Sequence, residues 1–407
     1  MLIRFTVENY LSFNELIDFN MIASAEERHN HHILQGQSAE NIDLLKTSII
    51  YGANASGKSN LIKAMSFAQN FIVNGVAKNR IIEVKPFKLD SSCDNKPSRF
   101  EFEFSYQNRQ YAYGFAVDKN QIHEEWLFEI GHDIEQPIFE RVKNNISFHF
   151  EHELFINLTE EEQQRISYEA KSTRANLLFL TNCQERNIQS LQSIYKWFAE
   201  ILIIVFTNSK HQALTSLAKL HIDFFNEVIK LFRFGIEKIQ IEEFKDKKSG
   251  NLVSKLITIR KNKAGNEVKF EINEESEGTQ RFMDFIPMLI GLSKDKVFVI
   301  DEIERSLHTL LIRRLFELLL QHELFHSAPS QLIVSTHEVN LLDIKNLFRK
   351  DEIWFMEKNQ DGESVLYSLA NADVDNLNLT KGYLNGRFGG IPFIRDVKEL
   401  GWDSINN

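Results

Sequence analysis

The stretch Thr47-Ser48-Ile49-Ile50-Tyr51-Gly52-Ala53-Asn54-Ala55-Ser56-Gly57-Lys58-Ser59-Asn60 decides the reading of the fold. Residues 47–51 have the pattern of a short buried strand that runs straight into glycine. Residues 58–72 then place Leu61, Ile62, Met65, Ala68, Phe71 and Ile72 at helical spacing. Between strand and helix, Gly52 to Ser59 fits the pattern G-x-x-x-x-G-K-S/T. In that position successive main-chain N–H groups wrap a phosphate, and the helix turns its positive end toward it. Lys58 supplies a point charge at the β- and γ-phosphates, and the Ser59 hydroxyl is a Mg²⁺ ligand. A glycine-rich turn without a ligand would need neither the strand before it nor the helix after it.

Three further pieces lie downstream in a sensible order. Val297-Phe298-Val299-Ile300 is an apolar run that delivers Asp301 and Glu302 at its C-terminal end, the edge where open α/β sheets bind ligands. Asp301 is expected to hold the Mg²⁺ through water, and Glu302 to polarise an attacking water. Glu275-Ser276-Glu277-Gly278-Thr279-Gln280 stands just before a helical pattern. Taken alone it reads as an N-cap centred on Ser276, although such a turn also suits an anion. Ser335-Thr336-His337-Glu338 follows another β-run, so His337 is placed to contact a γ-phosphate; a lone histidine there is more often structural.

Around these pieces the chain changes period. Phe100, Phe102 and Phe104 alternate, then Tyr111, Tyr113 and Phe115, with residues 107–110 as the turn, which predicts an antiparallel sheet. Residues 155–235 read as helical, with no heptad sustained over several turns, so a long coiled-coil arm is not expected. Strands return at 239–244, 252–260 and 267–272. The last third alternates helix and strand: helices at 278–292 and 308–324, strands at 297–301, 331–335, 352–356 and 364–369. That alternation predicts a largely parallel sheet.

Taken together, the four pieces resemble the ABC-type ATPases, and within them the soluble SMC-like branch with its DNA-repair and overcoming-lysogenization-defect relatives. Gly52 to Ser59 matches that family's G-x-N-x-S-G-K-S loop. Ser276-Glu277-Gly278-Thr279 matches its signature, Asp301-Glu302 its Walker B pair, Ser306-Leu307-His308 its D-loop, and His337 its switch histidine. Val7-Glu8-Asn9-Tyr10-Leu11-Ser12-Phe13 looks like its opening strand and turn. The likeness covers about residues 1–75 and 270–360. It is nearest to compact bacterial ATPases of phage-defence loci, through the segments around Asp301, Ser276 and Gly386-Arg387-Phe388-Gly389-Gly390-Ile391-Pro392. Two departures stand out: Glu275 occupies an apolar position, and Glu277 replaces a glycine. Gln107, Gln110 and Gln121 are candidates for the Q-loop glutamine, none in a distinctive context.

The resemblance implies an α/β fold with an ABC-type head, in which residues 1–150 carry the phosphate loop and an antiparallel β lobe. Residues 151–235 would be a helical insertion, and 236–407 the half with signature, Walker B pair and switch histidine. It implies ATP and Mg²⁺ as cofactors, with nucleotide contacts from Gly52, Ala53, Asn54, Ala55, Ser56, Gly57, Lys58, Ser59 and Asn60. Ser276 and Gly278 would close the ATP of a second subunit in a homodimer, or in a higher oligomer built from it. Ser59 and Asp301 would hold the metal; Lys58, Glu302 and His337 would carry catalysis. Two roles fit: an ATPase that senses infection and controls a separate nuclease or toxin, or a DNA-repair or chromosome-associated clamp acting on DNA directly. The tail after His337 has no carboxylate cluster at strand ends suited to a nuclease metal, so any nuclease chemistry is expected on a separate polypeptide.

Composition bounds these readings. The chain has 407 residues, 43% hydrophobic and 26% charged, typical of a globular protein, with no apolar run near the roughly 20 residues of a membrane span. It begins without a signal-peptide core. Its two cysteines, Cys93 and Cys183, make no disulfide framework, so a reducing, cytoplasmic setting is expected. A net charge of −10 argues against a general nucleic-acid coat. The hairpin between Lys245 and Lys269 is locally basic and could touch a phosphate backbone, although a solvated hairpin is the more common explanation of such a stretch. Arg28-His29-Asn30-His31-His32 invites a metal reading, but ligands need convergent geometry and usually a carboxylate partner, and the stretch reads as a polar surface loop.

Overall fold

The computed structural model describes residues 1–36, 42–131, 135–206, 218–245, 252–321, 328–372 and 379–384. The first part of the chain runs β1 (Leu2–Glu8), β2 (Ile17–Asn20), β3 (Ile33–Leu34), β4 (Leu44–Leu45), β5 (Thr47–Gly52) and α1 (Lys58–Asn74). A meander follows: β6 (Ser98–Tyr106), β7 (Arg109–Val117), β8 (Ile122–Ile130), β9 (Glu135–Val142) and β10 (Asn145–Phe148). Next come α2 (Glu160–Ser172), α3 (Phe179–Glu185), α4 (Gln192–Lys196), β11 (Leu202–Val205), α5 (Ile222–Phe232) and a ribbon of β12 (Lys238–Lys245), β13 (Leu252–Lys261) and β14 (Glu267–Glu271). The last part holds α6 (Glu277–Gly291), β15 (Val297–Ile300), α7 (Thr309–Gln321), β16 (Gln331–Thr336), β17 (Ile353–Lys358), β18 (Ser364–Ser368) and α8 (Leu379–Leu384).

Two large sheets organise these elements. Among the described residues one has the order β11-β15-β16-β5-β17-β18. Its first five strands run parallel and β18 runs antiparallel. The other, β10-β9-β8-β7-β6-β1-β2, is antiparallel throughout. This is the α/β architecture with an antiparallel lobe that the sequence pattern predicts.

Strand periodicity explains how the layers meet, because successive side chains leave opposite faces. Ile50, Val297, Val299, Ile333, Trp354 and Met356 face a core shared with α1 and the antiparallel sheet. Their neighbours Ile49, Tyr51, Phe298, Ile300, Leu332, Val334, Ile353 and Phe355 face a second core with α6 and α7. Helix α1 therefore lies between the sheets, with Phe67 and Phe71 against Phe100 and Phe115. Gln331, fully buried, joins the layers: its amide accepts from Leu2 N at 2.6 Å and donates to Leu2 O at 2.9 Å and Leu45 O at 3.1 Å.

The region 151–235 differs from a purely helical insertion in two ways. Leu202–Val205 is a strand that pairs in parallel with β15 and forms the edge of the central sheet. A π-helical turn at Trp197–Ile201 precedes it. A continuous apolar run fits a buried strand or a buried helix equally well, which is why periodicity misses this strand. The helices are also not appended to the head. Trp197 stacks on Phe104 at 4.2 Å between ring centroids, and Phe198 meets Phe102, Phe104 and Tyr113. The longest helix among the described residues has 17 residues, so no coiled-coil arm is present in them. The Gly386 to Pro392 segment lies outside the described residues.

Because Trp197 fills the core under the antiparallel sheet, truncation should act on the whole head. Trp197→Ala is expected to cost about 3–5 kcal/mol and to lower the single urea-unfolding transition. A dispensable insertion would instead unfold separately and leave the main transition where it was.

Candidate nucleotide site

The parallel pairing of β15, β16 and β5 brings three chain segments to one sheet edge. Val299 lies opposite Ile333 and Ile300 opposite Val334, while Ser335 lies opposite Ile50 and Thr336 opposite Tyr51. The residues that follow each strand therefore emerge side by side: Asp301 and Glu302, His337, and the Gly52 loop.

The loop has the conformation the sequence requires. Gly57 has φ of 118°, and a Cβ there would sit 2.1 Å from Ser364 Oγ, so only glycine fits. Ser364 Oγ donates to Ser56 O at 2.6 Å and accepts from Ser12 Oγ at 2.8 Å, and Asn60 Nδ2 donates to Ser12 Oγ at 2.8 Å. The opening turn around Ser12 thus props the loop from below. Ser12 and Asn60 fall within segments the sequence singles out; Ser364 carries no motif and is seen only in three dimensions. Asn54 and Ala55 are exposed at the loop tip, while Gly52, Ser56, Gly57 and Lys58 are buried and Ala53, Ser59 and Asn60 partly so.

Lys58 holds the centre. Its Nζ donates to Gly52 O at 2.6 Å, to Ala53 O at 3.0 Å and to His337 Nδ1 at 3.4 Å. Burial pulls its pKa down to about 8, against the opposing pull of Glu304, Asp301 and Glu302. Burial and then the Lys58 charge lower the His337 pKa, so this imidazole is neutral at pH 7 and can accept from the lysine. Ser59 Oγ donates to Asp301 Oδ1 at 3.0 Å, and Ser335 Oγ donates to the same oxygen at 2.6 Å. Glu302 N in turn donates to Ser335 Oγ at 2.8 Å, with Glu302 held at φ of 49°. Such left-handed backbone outside glycine costs energy and is concentrated at functional sites.

Glu304 is a further acid of the site that sequence reasoning passes over. Its Oε1 accepts the His337 main-chain N–H, and burial raises its pKa. The carboxylate thereby fixes the strand end that carries the histidine. Its signal was its place two residues after Glu302, but spacing alone gives no role.

The arrangement fits a triphosphate and a hard cation. Ser56 Oγ is buried without a hydrogen-bond partner, in the loop that would face phosphate oxygens. The adjoining Ser59 hydroxyl and Asp301 carboxylate are an oxygen donor set of the kind Mg²⁺ takes.

Ser276 and Gly278 lie apart from this cluster. Ser276 Oγ caps α6 by accepting from Thr279 N at 3.3 Å, as its N-cap reading predicts. Gly278 packs on the D-loop: a Cβ there would lie 2.9 Å from Ser306 O. Ser306 Oγ also donates to Glu277 Oε1 at 2.7 Å. Glu275, at the family's apolar position, is buried on Arg260 Nε and Nη2 at 3.1 and 2.5 Å and on Thr258 Oγ1. Its departure from the pattern is therefore an anchor that ties α6 to β13. Of the Q-loop candidates, Gln107 and Gln110 sit at the Met1 end of the antiparallel sheet, since Gln110 lies opposite Ser105 and Ser105 N bonds Met1 O. The loop-facing Ser12 corner follows the other end of β1.

Comparison with known proteins fits this geometry. Residues 48–343 match the family model described as "AAA domain, putative AbiEii toxin, Type IV TA system". The chain belongs to this family. As a member of that AAA-domain family it has a nucleotide-binding ATPase fold. No curated protein matches it in sequence. Among solved structures it is similar to an SMC head domain from Thermotoga maritima, at 12% identity and TM-score 0.41, covering 92% of this chain and 99% of that one. It is also similar to the Smc head of Pyrococcus furiosus bound to the C-terminal domain of ScpA, at 13% identity and TM-score 0.45, covering 95% and 98%. A third is the Smc head with coiled coil and joint of Pyrococcus yayanosii, at 10% identity and TM-score 0.42, covering 90% and 97%. No helix among the described residues is long and apolar enough to cross a membrane.

The depressed Lys58 pKa has a consequence for nucleotide affinity. The charged amine binds phosphate, and in the free protein it loses its proton near pH 8. Affinity for ATP should be level below that pH and fall above it, by roughly tenfold per pH unit at the steepest. Titration calorimetry from pH 7 to 9.5 checks this, with Lys58→Arg expected to flatten the profile. Equal affinity at both ends for the parent would contradict the role given to Lys58.

Proposed function

We propose that the protein binds and hydrolyses ATP with Mg²⁺ as a nucleotide-driven homodimer, and that it regulates a separate effector in bacterial antiviral defence. The observation that carries the catalytic part is the meeting of Lys58, Ser59, Asp301, Ser335 and His337 through direct hydrogen bonds at one sheet edge. Lys58 neutralises phosphate charge, Ser59 and Asp301 hold the cation, and Glu302 orients water and takes its proton. His337, neutral and bonded to the Lys58 amine, faces the same space. When bound, Mg²⁺ supplies charge neutralisation on the phosphate oxygens. Little covalent chemistry is asked of the chain; positioning and electrostatics do the work.

The dimer is supported by the signature turn. Ser276 and Glu277 are exposed at the start of α6, available to a second subunit rather than to the Lys58 cluster of their own. The family description, which names a toxin of a type IV toxin–antitoxin system, supports a defence setting with a toxic activity in play. Direct action on DNA is weakened by the ribbon. Lys238, Lys255, Lys261 and Lys269 pair with Glu267, Glu271, Glu237 and Glu242. Within the hairpin Lys255, Lys261 and Lys269, together with Arg260 on Glu275, are thus matched by acids, half of its eight cations. Lys247 and Lys248 of that hairpin lie outside the described residues. A cytoplasmic location fits the buried thiols of Cys93 and Cys183.

Two variants separate the parts of this proposal. Glu302→Gln should keep Mg²⁺-ATP binding, lose turnover by at least about 100-fold and accumulate an ATP-bound dimer in light scattering. Ser276→Arg should bind ATP as a monomer but fail to dimerise. A Ser276→Arg chain that still dimerises with ATP contradicts the shared site; one that merely melts earlier, by about 1 kcal/mol, reduces Ser276 to a cap.

A further inference from the structure

The fold brings a carboxylate distant in sequence, Glu352, to the run Arg28 to His32. Residues Asn30–His32 form a single 3₁₀ turn entered through His29, whose φ is 54°. One ring nitrogen from each of His29, His31 and His32 lies within 4.8 Å of the others. The rings of His31 and His32 meet edge to face at 4.4 Å, and those of His29 and His32 lie 5.1 Å apart.

Two of the rings are held from behind. His32 is buried, and its Nδ1 contacts both oxygens of the buried Glu352, at 3.1 and 3.0 Å. Glu352 also accepts from Thr47 Oγ1 and from Arg349 N at 2.7 Å, so the carboxylate is fixed. A carboxylate on one nitrogen of an imidazole leaves the other as the ligand atom and sets its tautomer, the usual support behind a metal-bound histidine. The Lys345 main chain hydrogen-bonds the His29 ring. Nε2 of that ring is buried with no hydrogen-bond partner, an unpaired nitrogen that costs stability unless something binds it. His31 is exposed and borders, with His32, a cavity of about 30 Å³ whose other walls are largely leucine and which His29 does not line.

We infer that His29, His31 and His32 form a metal site for a zinc-type divalent cation, with Glu352 supporting His32 and a water as fourth ligand. Tetrahedral coordination with metal–nitrogen bonds of about 2.0–2.1 Å needs nitrogens about 3.4 Å apart. Closing from 4.8 Å takes small ring rotations within one turn. An all-imidazole set suits zinc rather than Mg²⁺, so this site and the Ser59–Asp301 pair take different ions. Glu352 is the anion bonded to the cluster; of the neighbouring cations, Lys46 donates to His31 O at 3.0 Å and Arg28 is paired with Glu26. The site lies at the opposite end of the central sheet from Lys58, because Glu352 precedes β17 and its carbonyl accepts from Ile49 N near the start of β5. A bound ion would clamp the 28–36 segment to the strand that leads into the phosphate loop.

The test uses the full chain, stripped with chelator and free of nucleotide. Zinc titration should give one tight equivalent, and Co²⁺ should give the visible absorption of a four-coordinate ion. His31→Ala, at an exposed position, should weaken binding by at least tenfold without unfolding the protein. Glu352→Gln should weaken it tenfold to a hundredfold, while Asp301→Asn at the opposite edge should leave it intact. Absence of stoichiometric zinc uptake, or uptake unchanged in both His31→Ala and His29→Ala, overturns the site.

Discussion

One carboxylate oxygen, Asp301 Oδ1, accepts hydrogen bonds from Ser59 at 3.0 Å and Ser335 at 2.6 Å. Those hydroxyls belong to the start of α1 and the end of β16, so three segments distant in sequence are tied at one point. Asp301 is buried, and an ion there is tolerable only because donors surround it. The three strands that converge on it, β5, β15 and β16, are buried along their whole length; they are held in register by the cores on either side. Loss of the Trp197 contacts or of the Gln331 bridge would therefore loosen the geometry of the site without touching it.

The same economy governs the phosphate loop. Ser12, Ser56, Asn60 and Ser364 form a hydroxyl and amide network beneath it, drawing on the opening turn and the antiparallel edge strand β18. A loop that must present its N–H groups to a ligand cannot use them to hold itself. Its rigidity is borrowed from neighbours, and Gly57 permits the close approach that makes the borrowing work. Lys58, meanwhile, is parked on main-chain carbonyls in a position that phosphate oxygens would compete for.

Much of this was legible in the sequence. The strand–loop–helix at Thr47 to Asn74 and the apolar strand ending in Asp301 follow from chemistry that fixes residue types at fixed spacing. The alternating Phe100, Phe102 and Phe104 likewise fix a sheet face. What was not legible depends on contacts across long separations. Glu352 meets His32, Ser364 meets Ser56, and Gln331 meets Leu2, and no local pattern announces any of these. Leu202–Val205 escaped because four apolar residues after a helix can continue the helix or start a strand. The lysines of the ribbon looked like a basic patch because their glutamate partners stand on neighbouring strands, in cross-strand register rather than adjacent in sequence. Glu275 looked like a blemish in the signature until Arg260 was seen on it.

The central claim is that Lys58 and the Asp301 knot form a nucleotide site. Calorimetric titration of Mg²⁺-ATP into the parent and into Lys58→Ala, each checked for an unchanged circular dichroism spectrum, tests it most directly. The account predicts one nucleotide per parent chain and at least tenfold weaker binding in the variant, the loss of about 1.5–3 kcal/mol that a charge-assisted contact contributes. A folded Lys58→Ala protein that binds Mg²⁺-ATP as tightly as the parent would contradict it.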